Sequence, residues 1–69
     1  MTLTKQQAIT AMREGKKLAH RYFGSDEWVK SNQSGTIYIL EDGVECPAHE
    51  FWKYRTDNDW NFDWEIISE

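Results

Sequence analysis

The sequence predicts an α+β fold: an N-terminal helix, then a small antiparallel sheet with a short second helix. Three observations carry that prediction. Apolar residues near the N-terminus recur at helical spacing, a β-branched and aromatic run in the middle ends in Asp42-Gly43, and the chain closes on an alternating Trp and Ile segment. No repeat, linker or low-complexity stretch interrupts residues 1–69, which read as one small domain.

Thr4-Lys5-Gln6-Gln7 has the form of a capping box, in which the Thr4 hydroxyl takes an orphan backbone N–H and the Gln7 side chain reaches back. Ala8, Ile9, Ala11 and Met12 then share one face, and Gly15 is a natural left-handed stop, so a helix is expected from Lys5 to Glu14. Lys17 to Phe23 alternates Leu18, His20 and Tyr22 with Lys17, Ala19, Arg21 and Phe23, as a strand with two differently used faces does. Gly24-Ser25-Asp26 breaks it, Trp28-Val29-Lys30 suits a second short strand, and Ser31 to Gly35 is polar enough for a loop tip. Thr36 to Leu40 is the strongest strand, and Asp42-Gly43 turns it back through Val44-Glu45-Cys46 as a hairpin. Pro47 fits the first turn of a helix over Ala48 to Tyr54. Asp57-Asn58-Asp59 signals a turn, and Asp63 to Ile67 forms a last strand in which Trp64 and Ile66 share a face.

Size and charge narrow the function classes. A chain of 69 residues and 8.2 kDa buries only about 60 % of its unfolded surface, and its single cysteine, Cys46, forms no internal disulfide. Self-association would bury more, so a homo-oligomer is expected. The net charge of −4 and pI near 5.0 argue against long nucleic acid, which needs basic surface, but leave room for a small anionic ligand held by local cations. The N-terminus lacks a signal-peptide core and no segment has the length of a membrane span. A cytoplasmic protein with no membrane partner is the expectation, and a lone thiol suits that reducing compartment.

Six of the ten aromatic side chains fall between Phe51 and Trp64, interleaved with charges of both signs. Pattern assigns part of them to the core, while Trp52 and Trp60, flanking Lys53, Arg55 and Asn58, are the candidates for surface use in stacking a base and reaching a phosphate or ribose. His20-Arg21-Tyr22 combines imidazole, guanidinium and phenol, a set that can grip phosphate and stack a base; the plainer alternative is a strand with Tyr22 in the core and Arg21 in solvent. His20 and His49 lie in no nucleophile or metal motif, Cys46-Pro47 lacks the second cysteine and the His-x-Glu of a zinc deaminase, and Glu41, Asp42, Glu45 and Glu50 read as solvated carboxylates near turns. The expectation is therefore no catalysis, no metal and no cofactor.

Ala8, Ala11, Met12, Gly15-Lys16-Lys17, Arg21-Tyr22-Phe23 and the terminal Asp63-Trp64-Glu65-Ile66-Ile67 together resemble a known family. It is the second type of phage-encoded signal sponge, small anti-defence proteins that counter the Thoeris system by sequestering its cyclic ADP-ribose signal. The likeness covers both ends of the chain and roughly half of it; in the middle Cys46-Pro47-Ala48 stands about where that family carries a Trp-x-Pro-Ser loop but lacks its tryptophan, and Arg21-Tyr22-Phe23 replaces the family's arginine-x-x-tryptophan. The resemblance implies an α+β protomer that assembles into a dimer or a dimer of dimers in the cytoplasm of a host cell, with ligands in interface pockets. It further implies capture without hydrolysis, Arg21 and Lys17 pairing with phosphates and Trp28, Tyr22 or Trp52 stacking on the base.

Two other functions fit parts of the sequence. An acidic inhibitor of a host defence protein, anti-CRISPR-like or directed at a nuclease, would use the same charge and aromatics, although Lys and Arg interrupt the carboxylates that a DNA mimic would need. A small nucleotide-processing enzyme would need a nucleophile and base, and no motif supplies the pair.

Overall fold

The computed structural model describes residues 2–68. Helix α1 spans Lys5–Arg13 and is followed by β1 (Lys17–His20), β2 (Val29–Ser31), β3 (Ile37–Leu40), β4 (Glu45–Pro47), α2 (Ala48–Lys53), a 3₁₀ turn (Asn58–Asn61) and β5 (Trp64–Ser68). The strands form one antiparallel sheet in the order β4-β3-β2-β1-β5, so the expected α+β architecture is present.

Local chemistry sets the ends of α1. The Gln7 N–H donates to the Thr4 hydroxyl at 3.2 Å while the Thr4 N–H donates to the Gln7 side chain at 2.9 Å, closing the capping box. At the other end Gly15 adopts φ 93°, its N–H bonds the Met12 carbonyl, and the Lys16 N–H reaches back to Ala11. That pair of bonds is a Schellman motif, which needs a residue at ease in left-handed backbone.

One face of the sheet is covered and the other is open. Leu18, Val29, Tyr38 and Trp64 point inward and form the core with Ala8, Ala11 and Met12 of α1 and Phe51 of α2. Trp64 is fully buried and donates its indole N–H to the Trp60 carbonyl at 2.7 Å. The opposite side of the same strands carries Lys17, Ala19, Lys30, Ile37 and Ile39, all half-buried, and α1 and α2 both pack on the other face.

Several boundaries differ from the sequence expectation for stated reasons. β1 ends at His20 rather than Phe23, because the Phe23 N–H turns back to the His20 carbonyl; Tyr22 leaves the core face and Phe23 packs on the core instead. Ser31 is a buried strand residue, not loop. The β3–β4 connection closes through Gly43 N–H to Leu40 and Leu40 N–H to the Val44 carbonyl, a type I turn with Gly43 at φ 84° in the bulge position, so pairing resumes at Glu45 rather than Val44. Pro47 ends β4 and caps α2 with φ −58°, one residue ahead of the expected first-turn position. The Asp57-Asn58-Asp59 turn lengthens into the 3₁₀ element, which lies against α1.

Candidate functional site

The sequence-predicted residues divide among three places. Lys17 and Trp28 lie together on the open face, where alternation about buried Val29 puts Trp28 beside Lys30. The Lys17 ammonium sits 4.5 Å from the Trp28 ring centroid and that of Lys30 5.8 Å. Of the four tryptophans, Trp28 is the one outside the core cluster and its packing shell. Among the described residues neither lysine has a carboxylate within ion-pair distance; the ion pairs are Lys16–Glu14 at 3.5 Å and Arg21–Asp63 at 3.2 Å. An aromatic plane with two unneutralised ammoniums can stack a planar ring and hold an anion.

His20, Arg21 and Tyr22 occupy the end of β1, against the 3₁₀ turn. His20 is buried; its Nδ1 accepts the Tyr22 N–H at 3.1 Å, which leaves Nε2 as the protonated nitrogen that donates to the Asp59 carbonyl at 2.9 Å. Both ring nitrogens are thereby committed to backbone, and the ring lies 4.3 Å from Trp60 and 4.8 Å from Trp64, centroid to centroid. Tyr22 donates its phenol to the Asp59 carboxylate at 2.8 Å, and that bond is the main reason its pKa is raised. Arg21 is exposed and pairs with Asp63, a residue held at φ 67° in left-handed backbone. A guanidinium already facing a carboxylate is a weaker anion site than a free ammonium, so Arg21 is less suited to phosphate than its position in the sequence suggests.

Trp52 and Arg55 lie in and just after α2. Trp52 packs on the core, donates its indole N–H to the Tyr38 hydroxyl at 2.9 Å and carries the Lys5 ammonium 4.5 Å above its ring. Trp60, the other tryptophan expected at the surface, is likewise half-buried against the core. The Arg55 guanidinium stacks on Phe51 at 4.0 Å and Trp60 at 5.4 Å and donates to the Phe51 carbonyl, while its Nε is buried without an acceptor. Desolvation lowers the Arg55 pKa. These two side chains belong to packing: Trp52 lies against Tyr38, Phe51 and Trp64, and Arg55 against Phe51 and Trp60 of the 3₁₀ turn.

The cavities are small or open. A cleft of about 150 Å³ is lined by Thr2, Ala19, His20, Arg21, Asp63 and Glu65. A shallow groove of about 360 Å³ runs between α1 and β5, past Leu3, Thr10, Ala11 and Ile66. The first falls below the ~300 Å³ at which small-molecule pockets begin, and the second has no roof. Among the described residues no three His, Cys, Asp or Glu side chains gather as a metal site requires, and no helix is long and apolar enough to cross a membrane.

Lys30 is the residue that sequence reasoning missed. Its signal was available: it lies two positions beyond Trp28, the spacing that puts both on one face of a strand. No protein-family model, curated protein or solved structure matches this chain.

Proposed function

We propose that this protein captures a small anionic nucleotide signal without transforming it, in the manner of a phage anti-defence sponge. The observation that carries the reading is the open-face group of Trp28 with the ammoniums of Lys17 and Lys30, neither of them ion-paired among the described residues, on a chain of net charge −4. The base stacks on the indole and the phosphates meet the two lysines. Catalysis has no support from the histidine at the core, since both nitrogens of His20 are engaged with backbone.

Capture requires enclosure, and the 150 Å³ cleft is too small for a nucleotide. A second protomer closing over the open face supplies that enclosure and agrees with the marginal core of so short a chain. Sedimentation equilibrium at micromolar concentration checks assembly; a clean 8.2 kDa species counts against it. Capture itself is tested by heating the protein purified from cells that make cyclic nucleotide signals and identifying the released molecules by mass spectrometry. An intact cyclic nucleotide supports the sponge. Release of none, with a host defence protein co-purifying, supports the second reading, an acidic inhibitor, which the exposure of Tyr54, Tyr22, Phe62 and Val44 favours.

A further inference from the structure

Lys17 and Lys30 stand on adjacent strands of the open face, and both ammoniums approach the same indole, within 4.5 and 5.8 Å of its centroid. The register sets Leu18 against Val29, so the antiparallel continuation carries Lys17 toward Lys30 and Ala19 toward Trp28. Like charges facing each other across strands destabilise a sheet. The sequence offers twelve carboxylates, yet among the described residues none is within ion-pair distance of either ammonium. Ala19, opposite Trp28 in register, adds no bulk beside the indole, and both ammoniums lie within 5.8 Å of the centroid of that one ring.

We infer that this pair is a two-point phosphate site, and that it selects ligands carrying two negative charges, a terminal phosphomonoester or a diphosphate, over singly charged phosphodiesters. The inference rests on the capture reading and names the ligand class for the same site. A dianion neutralises both ammoniums and removes their mutual repulsion; a monoanion leaves one of them uncompensated. Lys17 swings off the ring to meet the anion, and the base takes its place on Trp28.

The test is calorimetry of the full chain with inorganic pyrophosphate, adenosine monophosphate, cyclic adenosine monophosphate and adenosine, at low and moderate salt. The expected order is pyrophosphate and adenosine monophosphate first, the cyclic monoanion weaker, and adenosine weakest. Lys30→Gln and Lys17→Gln should each weaken binding of the dianions by about tenfold or more, with a melting temperature equal to or above the parent's, because either substitution relieves the repulsion between the two ammoniums. Adenosine binding as tightly as adenosine monophosphate, or dianion binding indifferent to both substitutions, overturns the site. The two readings fail separately. Pyrophosphate bound through Lys30 with no signalling nucleotide released from cells keeps the site and removes the sponge; a released cyclic nucleotide that binds Lys30→Gln as well as the parent keeps the sponge and removes the site.

Discussion

Tyr22 and Asp59, 37 positions apart, share a hydrogen bond of 2.8 Å in which the phenol donates to the carboxylate. Together with the His20 bond to the Asp59 carbonyl, it fastens the 3₁₀ turn to the end of β1. The bond needs the phenol proton, and Asp59, the largest influence on that group, holds it more tightly than in the unfolded chain.

That tightening makes stability depend on alkaline pH. Below the unfolded tyrosine value near 10 both states are protonated and the whole contribution is present; it declines as pH rises through the higher folded value. Tyr38 contributes with the same sign, its phenol raised chiefly by burial. Thermal melts across that range should show a shallower alkaline decline for Tyr22→Phe than for the parent. Equal slopes would refute the assignment.

Removal of single tryptophans separates core from surface. Trp64 is fully buried, so Trp64→Ala should cost about 3–5 kcal/mol, enough to unfold most of a population this marginal. Trp28 lies outside the core cluster, and Trp28→Ala should stay within about 1 kcal/mol of the parent by denaturant titration. Reversed magnitudes would invert the faces of the sheet.

Gly43 has φ 84°, and a Cβ built there meets nothing within 4 Å, so any penalty for a side chain is conformational. Gly43→Val should lower stability by roughly 1–2 kcal/mol, with Gly43→Asn less costly because asparagine tolerates left-handed backbone. A melting temperature unchanged by valine would rule out the bulged turn.

Arg55 is a cation held between aromatic rings with a buried, unsatisfied Nε and no carboxylate partner among the described residues. Arg55→Met keeps the apolar stem against Phe51 and removes the desolvated charge. Stability should hold or rise by about 1 kcal/mol, whereas Arg55→Ala, which loses the packing too, should fall. Chemical denaturation of the two variants decides; loss in both would mean that the guanidinium itself holds the fold.

Elements whose signals are local were legible in the sequence. The capping box, Gly15, and the β-branched run before Asp42-Gly43 each act within a few residues, and the structure places them where those rules put them. The functional surface was harder to read. Density of aromatics drew attention to Trp52 and Trp60, but Trp52 is covered by Tyr38 and Trp64, distant in sequence, and Trp60 by a 3₁₀ turn that folds back onto His20, and nothing local encodes either contact. Arg21 read as a free cation because its carboxylate, Asp63, lies 42 positions away. Trp28 stays out of the core because alternation about buried Val29 turns it to the open face.

The placement of β1 between β2 and β5 has a consequence in time. Residues 17–20 acquire a neighbour on one side from the next strand, but on the other only from residues 64–68, and the ring that fills the core arrives with that same segment. A stretch of chain ending before Trp64 therefore holds two helices and four strands but lacks the indole at the centre of the core and leaves one edge of β1 unpaired. Pairing of β1 with β5, two segments separated by more than forty residues, carries the largest loop-closure cost in the sheet and is expected to be the slow step of folding.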